Sequence, residues 1–426
     1  MKKNIPVILD GVRTPFVESG GAFTHLSSCD LGAIALQGLM DKGDIDPENI
    51  DMVSMGTLVH EVQTPNIARD AMLAAGMSST TPAYTTSMGG LSPNVALTGL
   101  CDKVALGRIN TGVAAGTDSF SDISIRLSPN LRRALTGYHF NKSLTGLLKR
   151  LRPRDVMLDI PRDIDFTTKK NMGTHCEKMA KKFNVQRTES DEFSSRSHAN
   201  AIRAWENGRY KEDIINVKTE TGNIYRDDSP RPDATLKKLA ELRPVFDKKD
   251  GIITAGNASR FTDGAASILI SSLDAAERLG KEPLAAIRDY AFSGVADLET
   301  EMLCGPAMVI PKLLKKNTLS IDDIDVWELH EAFAAQILVN QKCLASSTFS
   351  KTYLGMDSPV GSIPIEKLNT WGGSLALGNP FSTTGLRLII TASRRLKAEN
   401  RQYGIVSSCA GGGMGCVILL ENANFL

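Results

Sequence analysis

The sequence predicts a layered α/β fold built from two similar halves, with an insertion in the first. Three observations carry this. Short apolar runs alternate with stretches of helical periodicity from residue 7 to about 118. The same alternation returns after Leu284. Between them lies a long charged stretch of different character, closed by the turn Lys248-Lys249-Asp250-Gly251. No repeat is visible in the residues themselves, so the duplication rests on the pattern alone.

In order, Val7-Ile8-Leu9 reads as a short buried strand leading into the turn Asp10-Gly11-Val12-Arg13-Thr14-Pro15-Phe16. Leu31 to Leu39 carries a helical apolar stripe, and Val53 to Val59 reads as the next strand. Asn66 to Ala75 forms a helix. Ala83 to Met88 is a strand running into Gly89-Gly90, Asn94 to Leu106 is helical, and Thr111 to Gly116 is again a strand. Beyond the insertion, Ala265 to Ser271 and Ala285 to Asp289 read as strands, Pro306 to Lys315 as a helix, and Val326 to Leu329 as a strand leading to His330. The apolar run after the glycines at 411–413 reads as a buried strand near the end of the chain. Residues 1–120 with 247–280 are therefore expected to form one core domain, 121–246 an inserted domain, and 281–426 a second core domain.

The insertion opens with a basic segment. Arg126, Arg132, Arg133, Lys142, Lys149, Arg150, Arg152 and Arg154 occur without an acid among them. Leu127, Leu131, Leu135, Phe140, Leu144, Leu147, Leu148 and Leu151 are interleaved with these charges. Such a segment can lie on an anionic membrane surface or against a partner. Leucines packed on the protein's own domain account for the pattern equally well. Met179 to Tyr210 then reads as charged amphipathic helices.

Length and composition set bounds. At 426 residues the chain can bury two or three cores, and 42% hydrophobic residues with a net charge of +1 describe an ordinary globular protein. That balance gives no electrostatic case for nucleic acid. Seven cysteines without metal-type spacing suggest a reducing compartment. The N-terminal apolar run is cut short by Asp10, so it does not read as a signal peptide, and no segment is long enough to span a bilayer. A cytoplasmic location is expected.

One stretch carries chemistry: Cys409-Ala410-Gly411-Gly412-Gly413-Met414-Gly415. A thiol beside glycine backbone donors suits work at a thioester or ketone, the sulfur moving a proton while amides hold an oxyanion. A buried structural cysteine at a tight hairpin explains the same residues.

The company of this stretch decides between the two. Val12-Arg13-Thr14-Pro15-Phe16, Arg231-Pro232 through Arg243-Pro244, and Thr254 to Ser259 with Asp263-Gly264-Ala265 occur in order ahead of it. They are followed by His330-Glu331-Ala332-Phe333-Ala334, Asn369 with Gly372-Gly373 through Leu377-Gly378, and the cysteine stretch itself. Together these motifs resemble the thiolases along nearly the whole chain. The His-Glu-Ala-Phe form, the run from Leu368 to Leu375 and the basic insertion look most like the branch serving fatty-acid β-oxidation complexes, an acetyl-CoA acyltransferase type.

The resemblance implies two βαβαβ-type core domains in an α/β/α/β/α layering with an inserted loop domain, paired as a homodimer or dimer of dimers. It implies a coenzyme A thioester as substrate or ligand, no permanently bound cofactor and no metal. It also implies that the insertion meets a β-oxidation partner subunit or a membrane. In the family one cysteine takes the acyl group, a histidine of a Gly-His-Pro motif activates it, and a second cysteine moves the α-proton. By position, Cys409 is the second cysteine, His330 helps hold the thioester oxygen, and Gly411 supplies a backbone donor. Ser259 and Arg231 fall where the family contacts coenzyme A.

Two positions depart from the pattern. Gly90 stands where the nucleophile belongs and Asn379 where the activating histidine belongs, with Ser382 displacing the glycine after the proline. Glycine offers no nucleophile, and asparagine is no base near neutral pH. Ser87 and Ser92 flank the gap, but a serine needs an adjacent base. Cys101 is expected to be buried in the following helix. The expectation is a thiolase-like protein that binds coenzyme A thioesters of the 3-ketoacyl type with covalent thiolysis lost or altered. The alternatives are a non-covalent carbon–carbon lyase or acyltransferase using Cys409 and His330, and a working thiolase.

Overall fold

The computed structural model describes residues 4–43, 45–150, 152–161, 163–220 and 222–426, without the side chains of 148–150 and 153. Nine strands form one sheet: β1 (Pro6–Arg13), β2 (Met52–Gly56), β3 (Ala83–Thr86), β4 (Thr111–Asp118), β5 (Thr262–Ser272), β6 (Ala285–Gly294), β7 (Val326–Leu329), β8 (Tyr403–Ala410) and β9 (Met414–Asn422). Their order is β7-β8-β9-β6-β1-β5-β4-β2-β3, and the short strand Val17–Glu18 adds to β5.

The duplication missing from the residues is written in this order. In the first half, β1 and β4 flank β5 antiparallel, and β4, β2 and β3 run parallel. In the second half, β6 and β8 flank β9 antiparallel, and β8 and β7 run parallel. The counterpart of β3 is reduced to a single parallel bridge, Trp327 to Leu368. The halves meet where β1 pairs with β6 through Val7–Ala286 and Ile8–Ala285.

Strict alternation sets the layers, because successive side chains leave opposite faces of a strand. Ile268, Ile270, Ile418 and Leu420 point into a central core. It also holds Leu97, Leu100 and Val104 of the helix Ser92–Ala105 and Leu386, Leu388, Ile389 and Ile390 of the helix Thr384–Ala398. Their neighbours Leu269, Val417 and Leu419 point outward. Leu269 meets the helices Ser28–Gly43 and Ile67–Ala74, while Val417 and Leu419 meet Gly305–Lys316 and Ala334–Leu344. Helix, sheet, helix, sheet, helix is the result. Each fully buried aliphatic side chain contributes roughly 1.5–3 kcal/mol, so these three cores hold the halves together.

Several elements differ from the sequence reading. The strand expected through Val59 ends at Gly56, because Thr57 Oγ1 and the N–H groups of Leu58 and Val59 turn away to the buried Asp118 carboxylate. The strand expected to stop at Asp289 runs on to Gly294, paired throughout with β9. The helices Ala334–Leu344 and Thr384–Ala398 and the strand β8 add to the elements read from the sequence.

The insertion divides in two. Its later helices, Met172–Lys182 and Arg187–Glu206, send Cys176, Met179, Ala180 and Phe193 into the second half's outer core. The earlier part, helices Pro129–Asn141 and Leu144–Arg150, leaves Leu127, Leu135, Phe140 and Leu144 exposed, with Phe140 at 77%. Leu151 and the side chains of Leu148, Lys149 and Arg150 lie outside the described residues. Among the described residues no helix is long and apolar enough to cross a membrane, and no group of side chains is arranged to hold a metal. All seven cysteines are free thiols.

Candidate active site

The carboxyl ends of parallel strands, where a chain turns back toward a helix, are where α/β sheets place ligand sites. Both halves bring such ends to one cavity of about 130 Å³. Gly90, Ser259, His330, Asn379, Cys409 and Gly411 all line it. Arg231 does not; it lies exposed on a loop whose backbone N–H donates to His198 Nδ1 at 3.1 Å.

Gly90 sits in the turn between β3 and the helix Ser92–Ala105. The turn is tight: Leu91 N–H donates to Met88 O at 3.1 Å, Ser92 N–H to Gly89 O at 3.1 Å, and Gly89 takes φ +58°. Gly90 itself has no such backbone requirement. A Cβ built there would meet only Ala410 Cβ at 3.8 Å and Phe381 Cδ1 at 4.0 Å, which is ordinary contact. The site therefore has room for a side chain that the sequence does not supply, at the N-terminus of a helix whose dipole favours negative charge.

Ser92 cannot fill that role. Its hydroxyl donates to Gly89 O at 2.6 Å and accepts from Met88 N–H at 2.9 Å, so it holds the turn together. Cys101 is buried within the helix, as expected. Ser87 corrects the sequence reading, which found no base for it: His60 Nε2 lies 3.1 Å from its hydroxyl. The loop after β2 folds back beside β3, a proximity that residue spacing does not show. This pair is exposed and does not line the cavity.

Asn379 precedes the helix Thr384–Ala398. Its Oδ1 accepts from Thr384 Oγ1 at 2.8 Å, and its amide nitrogen has no partner among the described residues. The turn that carries it is docked on the sheet, with Ser382 N–H donating to Asp118 Oδ2 at 2.8 Å. Gly378, at φ +96°, is obligatory, since a Cβ there would lie 2.4 Å from Thr262 Cγ2. What stands at 379 is a fixed hydrogen-bond donor and not a base.

His330 and Cys409 come from the adjacent parallel strands β7 and β8. His330 N–H donates to Ser407 O at 2.9 Å, locking the two strand ends together. Burial, with Arg387 nearby, pushes the imidazole pKa down to about 3, so the ring is neutral at any physiological pH. Burial pushes the Cys409 thiol up to about 12, so it carries its proton. The hairpin beyond it turns on Gly412 (φ +81°) and Gly413 (φ +74°), where other residues are strained. Ser259 is held at the cavity by its N–H to Ala332 O at 2.9 Å.

The rest of the wall was not legible as a site. Met172 and Phe246 come from the insertion, and Leu303, Phe333, Phe261 and Phe381 from the cores; they make the cavity largely apolar. Phe261 stacks on Phe120 and Phe381 packs tilted against both, ring centroids 5.0 to 5.3 Å apart. Asp163 is the one carboxylate among the lining residues. Ser408 Oγ is buried without a partner among the described residues. Apolar residues scattered over 200 positions carry no local signal that could have gathered them.

Known proteins match this arrangement over its full length. A family model described as the thiolase N-terminal domain matches residues 6–274, and one for the thiolase C-terminal domain matches residues 281–422. The mitochondrial trifunctional enzyme subunit beta of Mus musculus is 39% identical over 98% of this chain and 88% of its own length. The crystal structure of the Bacillus anthracis acetyl-CoA acetyltransferase superposes with a TM-score of 0.83 at 31% identity, covering 98% of both chains. That of human mitochondrial 3-ketoacyl-CoA thiolase in complex with CoA gives 0.82 at 28%, covering 99% of both. With both domain models matched end to end and the two-halved sheet shared, this chain is a member of the thiolase family.

Proposed function

We propose that this protein binds coenzyme A thioesters of the 3-ketoacyl type in the cavity between its two halves, and that it does not form the covalent acyl intermediate of thiolysis. One observation carries the reading: Gly90 and Asn379 line the same cavity as Cys409 and His330. The site is assembled, yet its nucleophile position holds only hydrogen and its base position an amide. The relative titled as a CoA complex supports the choice of ligand. Ser259, on the wall, and the exposed Arg231 would meet the coenzyme; the largely apolar remainder suits an acyl chain.

A second reading, a non-covalent carbon–carbon lyase or acyltransferase, has its own support. Cys409 keeps a proton to give, neutral His330 and the Asn379 amide can donate to a developing oxyanion, and Asp163 brings a carboxylate to the same wall. The partner role follows from the insertion. Its exposed apolar residues, interleaved with Arg132 and Arg133, support docking on a β-oxidation partner subunit or an anionic membrane surface. Pairing into a homodimer, as the family pattern implies, belongs to the same proposal.

The test follows 3-ketoacyl-CoA absorbance over several chain lengths with free coenzyme A, beside calorimetric binding of the same thioesters. Binding without thiolysis is expected. Thiolysis that Cys409→Ala abolishes would mean that a working thiolase acts through a group other than residue 90.

A further inference from the structure

His330 is held from behind by two side chains to which the family reading gives no role, Ser374 and Arg387. Its Nδ1 lies 2.9 Å from Ser374 Oγ, and Arg387 Nη2 lies 2.9 Å from the same oxygen. All three residues are buried: His330 is 7% exposed, Arg387 1% and Ser374 not at all. No other partner competes for the Ser374 hydroxyl among the described residues.

The direction of each bond follows from donor inventory. A guanidinium only donates, so Ser374 Oγ accepts from Arg387. The serine then has one proton and one remaining lone pair. Were His330 to donate from Nδ1, the serine proton would be buried with no acceptor, at a cost of about 1–3 kcal/mol. With the serine donating to Nδ1, the hydroxyl proton and Nδ1 satisfy each other. Nδ1 is then the acceptor, and the ring proton must sit on Nε2, which has no partner among the described residues and belongs to a ring lining the cavity.

We propose that Ser374 and Arg387 are positioning residues which fix His330 as the Nε2-protonated neutral imidazole, a hydrogen-bond donor to a ligand oxygen in the cavity. Burial first and the guanidinium second keep the ring from becoming a cation, since a second positive charge there would face Arg387 without a carboxylate of its own. Glu328 is shared between Arg395 at 2.7 Å and Arg387 itself at 3.9 Å, and Glu331 is engaged by Asn369 and Ser197, so neither carboxylate pairs with the ring. This inference deepens the thioester reading and rests on it for the identity of the oxygen, but the tautomer is a property of the free protein.

The experiment is heteronuclear NMR of full-length protein labelled with 15N-histidine, the His330 signals assigned by their loss in His330→Gln. The native protein should show a pyrrole-type Nε2 and a hydrogen-bonded pyridine-type Nδ1. Ser374→Ala should lose that pattern and mix tautomers, and Ser374→Thr should restore it. A 3-ketoacyl thioester should bind Ser374→Ala about tenfold more weakly while free coenzyme A binds unchanged. An Nδ1-protonated ring in the native protein would overturn the proposal, with no variant needed. So would a tautomer indifferent to Ser374→Ala. The expected tautomer in a protein that binds no thioester would leave this proposal standing and remove the ligand reading instead.

Discussion

The cavity is lined by two kinds of chain segment, the turns that lead into the central helices and the strand ends of the second half, and the two stand in different chemical states. The turns that lead into the central helices, at Gly90 and Asn379, carry no ionisable group. The strand ends of the second half, at His330 and Cys409, keep a neutral donor and a protonated thiol. In thiolysis the first pair would make and break the acyl bond, while the second pair would hold the oxygen and move the α-proton. The backbone of both regions is equally well built. What differs is a pair of side chains, and on the proposed reading this separates the scaffold of a reaction from its nucleophile.

The largest effect expected is from refilling the empty pair. Gly90→Cys with Asn379→His should produce covalent acylation and thiolysis, with the histidine raising the rate over Gly90→Cys alone by on the order of 10²–10⁴. Single-turnover assays of both variants check this. The space around Gly90 predicts that the cysteine is accepted with little loss of stability. The opposite holds beside the retained pair. At Gly373 a Cβ would lie 2.1 Å from the Glu331 carboxyl carbon, so Gly373→Ala should cost about 1–3 kcal/mol in denaturant unfolding.

A smaller effect should appear with pH. His330 is held down to about 3 and His198 to about 4 by burial, against an ordinary value of about 6.5. In that window the unfolded chain binds protons that these two native histidines refuse, so their contribution to stability rises with pH up to about 6.5 and is lost as pH drops toward 3. Unfolding near pH 5 should take up about one proton fewer in His330→Gln than in the native protein, as read from the slope of stability against pH. The smallest effect concerns the insertion. Arg132→Glu with Arg133→Glu should weaken sedimentation with anionic vesicles, more so at low salt, and leave the melting temperature within experimental scatter.

Much of this was legible in the residues. Alternation in Ile268-Leu269-Ile270 and in Val417 to Leu420 reports two buried faces, and the motif order placed Gly90, Asn379, His330 and Cys409 in one site. The central helix Thr384–Ala398 was not legible, because Arg387 and Arg395 are buried there and read as solvent-facing charge. It also begins without a side-chain cap to announce it. Partners distant in sequence, such as Ser87 with His60 or Ser374 with Arg387, require the fold before they can be seen. The duplication was hidden for a related reason: hydrogen-bond order, not residue identity, is what the halves share.

The most direct test of the central claim is intact-protein mass spectrometry after mixing with a 3-ketoacyl-CoA, beside calorimetric titration of the same thioester. The Gly90→Cys, Asn379→His variant serves as the positive control. The account predicts binding and an unmodified mass for the native protein, with an acyl adduct only in the variant. An acyl adduct on the native chain would contradict it, and would show that a residue other than Gly90 carries the acyl group.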